Sequence, residues 1–256
     1  MLQVKFLGTG AAEGIPAINC NCPHCTRARN ERGKLIRQRS ALLVSLPDYE
    51  LLVETPPDIR ALLDEYKITH IDGIFLSHAH YDHASGLWEF LYWPGDIDLF
   101  IEGSVYKALR HQEGGDRLSD ITFYCPCRPG VAIRFDSFFF TPFAVSHTVP
   151  CFGLAFYEGG HKVIYAADTG RRFSNYARSL ISKADLLIIN VPRFEPPHED
   201  HLTIVEAVAL KEELAVRHLI LTHINHHNRP HDELEAYVSQ FAGVSVAYDG
   251  LTVSLP

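Results

Sequence analysis

The sequence predicts an α/β (α+β) fold of mixed β-sheets covered by helices, and three observations carry that prediction. Apolar or β-branched runs of mostly four to eight residues recur along the chain, bounded by Gly, Pro, Asp or Asn. Fewer segments show helical spacing, and their irregular placement argues against a strict βαβ repeat. No internal repeat, low-complexity tract or Gly/Ser linker divides the 256 residues, so a single domain over 1–256 is the simplest organisation.

Strands are expected over Leu2–Leu7, Ala41–Leu46, Glu50–Glu54, Ile71–Leu76, Asp98–Ile101, Val131–Phe135 and Phe138–Val145. The series continues with Gly153–Tyr157, Lys162–Ala166, Leu186–Asn190, His218–Leu221 and Val244–Tyr248. Pro57–Tyr66 sets Ile59, Leu62, Leu63 and Tyr66 at helical spacing. Asp200–Leu214 does the same with Leu202, Val205, Val208, Ala209 and Leu214, and Asp232–Phe241 with Leu234, Tyr237, Val238 and Phe241. The least regular stretch, Gly103–Pro129, is expected to be a helix followed by an insertion or lid.

The chain is 46% hydrophobic and 21% charged, ordinary globular values for a length that buries a substantial core. Lys plus Arg number 23 and Asp plus Glu 31, a formal charge of −8 that argues against a nucleic-acid polymer as partner. A phosphate substrate stays open, because bound cations reverse the charge locally. No apolar run approaches the ~20 residues of a membrane span, so no membrane partner is expected. The first ten residues carry Lys5 and run into glycines, unlike a secretory signal, and a cytoplasmic location is the expectation.

Histidine is unusually frequent, at 15 residues, and clustered. The densest cluster is Ser77-His78-Ala79-His80-Tyr81-Asp82-His83, directly after an apolar strand. In extended backbone His78 and His80 point the same way, so one metal can take both rings. The chain then turns into an apolar helical stretch, Ala84–Tyr92, which aims Asp82 and His83 at a second metal nearby. Imidazole and carboxylate donors together suit Zn²⁺, Mn²⁺ or Fe²⁺. A second cluster, Asn19-Cys20-Asn21-Cys22-Pro23-His24-Cys25, puts three thiols in six residues, spacing that favours a metal over a disulfide in a cytoplasmic chain. A tetrahedral zinc site needs a fourth donor, for which His24 is sterically awkward and His226 and His227 are better placed.

The H-x-H-x-D-H motif after a strand resembles the metallo-β-lactamase superfamily, and the resemblance extends over nearly the whole chain. Leu7-Gly8-Thr9-Gly10 is similar to that family's first strand and glycine turn, Ser146-His147 to its third histidine ligand, Ala167-Asp168-Thr169 to its bridging aspartate and Thr222-His223 to its final histidine. The resemblance implies a four-layer αββα sandwich with a binuclear centre. His78, His80 and His147 would hold one divalent cation (Zn, Mn or Fe), Asp82, His83 and His223 the other, and Asp168 would bridge them.

The thiol cluster resembles a branch containing the phosphodiesterase of the carbon–phosphorus lyase pathway and the B protein of pyrroloquinoline quinone biosynthesis. By that resemblance Cys20, Cys22, Cys25 and His226 form a closed structural zinc site. His201, in His198-Glu199-Asp200-His201-Leu202-Thr203, resembles the phosphodiesterase's catalytic histidine, and Asp200 or Thr203 caps the following helix. One departure stands out: Glu54 and Pro56 occupy positions where the branch commonly has Asp and Gly.

The implied function is hydrolysis of a small phosphodiester, including a cyclic ribose or nucleotide phosphate, by a metal-bridging hydroxide. Asp82 and His201 are the catalytic candidates, Asp82 positioning metal and hydroxide and His201 donating to the departing oxygen. The alternative is a cofactor-biosynthesis protein resembling the quinone-pathway member, followed by ribonuclease Z-like and thioester hydrolase readings. Specificity is expected from 103–129, Phe173–Tyr176 and Arg193–Pro197; Arg171, Arg172 and Arg193 are read as solvated surface charges first and phosphate contacts second. Cys125, Cys127 and Cys151 are read as packing or loop residues. The oligomeric state is open, a homodimer included.

Overall fold

A computed structural model of the chain describes residues 1–112 and 115–255. Its first half runs β1 (Leu2–Gly8), α1 (Pro23–Glu31), β2 (Ala41–Leu46), β3 (Tyr49–Val53), α2 (Ile59–Glu65), β4 (Gly73–Leu76), α3 (Tyr81–Ala84), β5 (Asp98–Glu102), α4 (Gly103–Arg110), α5 (Leu118–Ile121) and β6 (Phe123–Cys127). The second half runs β7 (Ile133–Arg134), β8 (Phe138–Val145), β9 (Cys151–Glu158), β10 (His161–Tyr165), α6 (Asn175–Ile181), β11 (Leu186–Asn190), α7 (Ile204–Glu213), β12 (His218–Thr222), α8 (His231–Val238), β13 (Val244–Val246) and β14 (Thr252–Leu255).

The strands form two seven-stranded sheets, β14-β1-β2-β3-β4-β5-β6 and β13-β12-β11-β10-β9-β8-β7. Each sheet is antiparallel in one part and parallel in the other: β3 to β6 are parallel in the first, β10 to β13 in the second. The inner parallel strands β4, β11 and β12 read as near-continuous apolar runs because both faces are covered. In β11, Leu186 and Ile188 enter the core between the sheets while Leu187 and Ile189 pack into a second core with Ala177 of α6, Ala207 of α7 and Leu234 of α8. On the outer side of the first sheet, Ile59 and Leu62 of α2 and Val105 and Leu109 of α4 extend the central core. This is the four-layer αββα sandwich.

Two strands and two helices lack the expected signals. Strand β6 reads Phe-Tyr-Cys-Pro-Cys, and Pro126 is tolerated because β6 is a sheet edge. Strand β14 is a half-exposed edge, legible only through its pairing with β1. Helix α1 starts inside the cysteine motif, and α6 is only seven residues long, too short for a clear helical period. In the stretch 103–129 the expected helix is α4, while the part expected to be an insertion or lid instead supplies α5 and the strand β6 of the first sheet. Residues 113 and 114 of that stretch lie outside the described residues. Among the described residues no helix is long and apolar enough to cross a membrane.

Candidate metal centre

The carboxyl ends of β4, β8, β10, β11 and β12 converge on one edge of the sandwich. His78 and His80 follow β4, and His80 keeps extended backbone (φ −67°, ψ 150°). The one-turn helix α3 begins at the next residue, which swings Asp82 and His83 around. His147 follows β8, Asp168 follows β10 and His223 follows β12. Three residues here adopt left-handed backbone without being glycine: Glu54 (φ 68°), Ala167 (φ 52°) and His223 (φ 59°). Each such conformation costs about 1–3 kcal/mol and is held by surrounding structure, here in the service of aiming side chains off strand ends.

Donor atoms of His78, His80 and His147 lie within 4.8 Å of one another, as do those of Asp82, His83 and His223, and of His78, His83 and Asp168. His78 Nε2 and His147 Nε2 lie 3.0 and 3.2 Å from His80 Nδ1. Ligands around a tetrahedral zinc at ~2.0–2.1 Å sit ~3.3 Å apart, so these three nitrogens are spaced as a coordination triad. In the adjoining set His83 Nε2 lies 3.3 Å from Asp82 Oδ2 and 3.5 Å from Asp168 Oδ2, and His223 Nε2 lies 3.2 Å from Asp168 Oδ2. Both ring nitrogens of buried His83 lack a hydrogen bond although carboxylates surround them. Burial alone would raise Asp168, but the facing His223 and His83 rings hold it well below the usual carboxylate range. Burial alone would lower His83, yet Asp82, Asp168 and Glu54 draw its pKa well above the usual histidine value. Negative charge buried this deeply requires positive charge beside it, and divalent cations fit both the charge and the donor types.

Neighbouring groups orient the donors. Glu54, fully buried, accepts from Tyr165 Oη at 3.1 Å and Ser77 N at 3.3 Å, and its Oε1 lies 3.6 Å from His83 Nδ1. The extra methylene relative to Asp is thus accommodated by the left-handed turn at Glu54 and the Tyr165 hydroxyl. Ser40 Oγ donates to Gly10 O at 2.9 Å and therefore accepts from His223 Nδ1 at 3.1 Å, leaving a lone pair on Nε2 toward Asp168.

The thiol cluster is met by His226, three residues beyond His223 in the loop after β12. Cys20, Cys22, Cys25 and His226 place their donor atoms within 4.8 Å. His226 Nδ1 is 3.5 Å from Cys20 Sγ and 3.6 Å from Cys22 Sγ, against ~3.5 Å for tetrahedral zinc with Zn–S ~2.3 Å and Zn–N ~2.0 Å. Cys22 caps α1, accepting from Cys25 N, with Pro23 at the first helical position. Burial would raise the Cys22 thiol, but that backbone donor and His226 bring it down to about 6, poised as a thiolate. His24 instead meets Asn228 O at 3.1 Å, and His227 is exposed. Cys125, Cys127 and Cys151 are free thiols away from this cluster.

A cavity of ≈ 310 Å³ opens over the histidine–carboxylate donors, lined also by Glu13, Thr148, Arg193, His198, His201 and Asn225. Gly170 brings the His198–His201 segment in: a Cβ there would fall 2.0 Å from Glu199 O. Thr203 then fixes the start of α7 through a capping box with Glu206, so Thr203, and not Asp200, is the cap. Burial lowers His201 to about 4, and its Nδ1 lies 2.5 Å from Asn190 Nδ2. Of the three arginines, Arg193 lines the cavity, while Arg171 faces Glu206 at 3.8 Å. Ser40, Asn190 and Tyr165 escaped the sequence reading; Asn190, a polar residue closing the apolar strand β11, carried the one available signal.

An αββα sandwich with histidine and carboxylate donors gathered at its strand ends defines a metallo-β-lactamase fold, a class composed generally of hydrolases. Residues 49–224 match the family described as the beta-lactamase superfamily domain, and the chain belongs to it. Among solved structures it is similar to a new diphosphatase from the PhnP family (24% identical, TM-score 0.88, covering 100% of this chain and 98% of the other). It is similar to Zn(2+)-bound PqqB from Methylobacterium extorquens as well (20%, TM-score 0.85, 99% and 100%). Among curated proteins it is 24% identical over 265 residues to an octanoyltransferase of Porphyromonas gingivalis. That match covers 98% of this chain, which spans about half (51%) of that protein's length.

Proposed function

We propose that the chain is a binuclear-metal hydrolase of small phosphodiesters. The carrying observation is that two adjoining donor sets share one open cavity with His201 and Arg193. In this reading His78, His80 and His147 would hold one divalent cation and Asp82, His83 and His223 the other, with Asp168 within reach of a histidine from each set. Two such ions, when bound, supply water activated at neutral pH and a Lewis acid for a phosphoryl oxygen. Arg193 meets the phosphate charge at the rim, and His201 offers a proton donor to an equatorial or departing oxygen. Asp82 would help hold one of these ions and orient a water beside it.

The likeness to the PhnP-family diphosphatase supports a substrate that carries a phosphoryl group. The likeness to zinc-bound PqqB supports a second reading, a cofactor-biosynthesis protein, in which the thiol cluster is the principal metal site. Metal analysis separates them: about three ions per chain for the hydrolase, about one for the alternative. The functional test compares linear and cyclic phosphodiesters, monoesters, thioesters and β-lactams with Mn²⁺ or Zn²⁺ added. Turnover concentrated on phosphodiesters, with kcat falling in His201→Ala at unchanged metal content, is the expected result. Preference for thioesters would move the reading toward acyl chemistry and overturn the proposal.

A further inference from the structure

We propose that Asn190 fixes the tautomer of His201, keeping its proton on Nε2, so that this ring faces the cavity as a hydrogen-bond donor and not as a metal ligand. Asn190 is 1% exposed and ends β11, in register with Thr222 and hence beside His223. Its Oδ1 accepts from Thr169 N at 3.0 Å. A backbone N–H only donates, so that contact decides which way the amide points. The Nδ2 group is left facing His201 Nδ1 at 2.5 Å. An amide NH₂ also only donates, so Nδ1 must accept, and the proton of a neutral ring resides on Nε2.

His223 is wired in the opposite sense. Ser40 Oγ donates to Gly10 O and accepts from His223 Nδ1, which frees the Nε2 lone pair. The two rings stack 6.1 Å apart at 24°. Two histidines on one wall thus present opposite faces, a lone pair from His223 and an N–H from His201. Each polarity is set by one buried polar neighbour that is itself fixed by a backbone group. The donor role toward substrate rests on the hydrolase reading; the tautomer does not.

The test is long-range ¹H–¹⁵N spectroscopy on the zinc-loaded full chain with ¹⁵N-labelled histidine imidazoles, His201 being assigned by its loss in His201→Gln. The wild type is expected to show protonated Nε2 and unprotonated Nδ1. Asn190→Asp keeps an acceptor for Thr169 N but offers His201 Nδ1 a second acceptor, so its proton should move to Nδ1. A wild-type ring protonated at Nδ1, or an unchanged ring in folded Asn190→Asp, overturns the proposal; should that variant fail to fold, the wild-type spectrum alone decides. In kinetics Asn190→Asp should lower kcat about tenfold or more with KM nearly unchanged. Failure of every phosphodiester to react, with the expected spectra, would count against the hydrolase reading and leave the tautomer standing.

Discussion

Residues 223–226 join two clusters built on different principles: His223 sits among carboxylates at the cavity, and His226 sits among thiols. The thiol cluster takes three of its four donors from Cys20–Cys25, ordered by a single helix start whose cap is one of the donors. Around one zinc ion, three sulfur donors and one nitrogen donor would complete a tetrahedron and leave no coordination position for substrate. The histidine–carboxylate cluster gathers its donors from four separate stretches and both sheets, and three left-handed non-glycine residues help aim them. Local sequence can build a closed site; an open site needs a scaffold that places distant strand ends together and tolerates strain there.

The strongest way to break this comparison is Asp168→Ala, which removes the carboxylate shared by both halves of the open cluster. Metal analysis should fall from about three ions per chain to about one. Phosphodiester turnover should fall to background. An unchanged ion count would mean that the open cluster does not depend on its central carboxylate. Next in size is the paired variant Cys22→Ser, Cys25→Ser. Because metal held by a closed site contributes folding energy directly, its loss should lower Tm by roughly 10 °C, with ions at the open cluster retained. A melt identical to wild type would show that the thiols are only packed.

A subtler probe is Glu54→Gln, which leaves a neutral group beside His83 Nδ1. Metal affinity or kcat should drop about 10–100-fold, and Tyr165→Phe, which removes only the hydroxyl on Glu54, should do less. Equal effects would place the influence in Tyr165 packing.

The last effect is confined to acid pH, leaves both clusters intact, and concerns His231 at the start of α8. Arg37, fully buried, donates to His231 Nδ1 at 2.9 Å, to Thr9 Oγ1 and to Ala247 O. Burial and then the adjacent Arg37 charge lower His231 to about 4. The folded form therefore binds fewer protons than the unfolded chain between that value and ~6.5, so this contribution is intact at neutral pH and is lost as pH falls through the window. His231→Gln, whose amide oxygen can still accept from Arg37, should flatten the decline by up to roughly 3 kcal/mol between those limits. Denaturant melts across the window check it, and parallel curves would remove His231 from the pH response.

Much of the open cluster was legible because its donor types are rare, closely spaced and placed at the ends of apolar runs: His78 to His83 and His223 can be read that way. The second-sheet strands β8 and β11 match the expected boundaries because buried runs leave an unambiguous pattern. Edge strands β6 and β14 carry no such pattern, since half their residues face water and their existence depends on a partner strand. Residues 103–129 misread for the same reason: proline and cysteine mask a strand that the parallel neighbour β5 stabilises.

By itself, the sequence determined which atoms can bind metal and in what order they appear, because donor chemistry belongs to the side chain and strand signals are local. Spacing left His226 and His227 open and the family resemblance favoured His226, which the tertiary structure brings to the thiols; the structure alone decided that Glu54 reaches His83. It alone decided, too, that Ser40 and Asn190 turn two neighbouring histidines to opposite hydrogen-bonding faces. Those outcomes depend on which backbone group lies behind each polar side chain. That is a property of strand register and loop closure between residues up to about two hundred positions apart, and no local pattern encodes it.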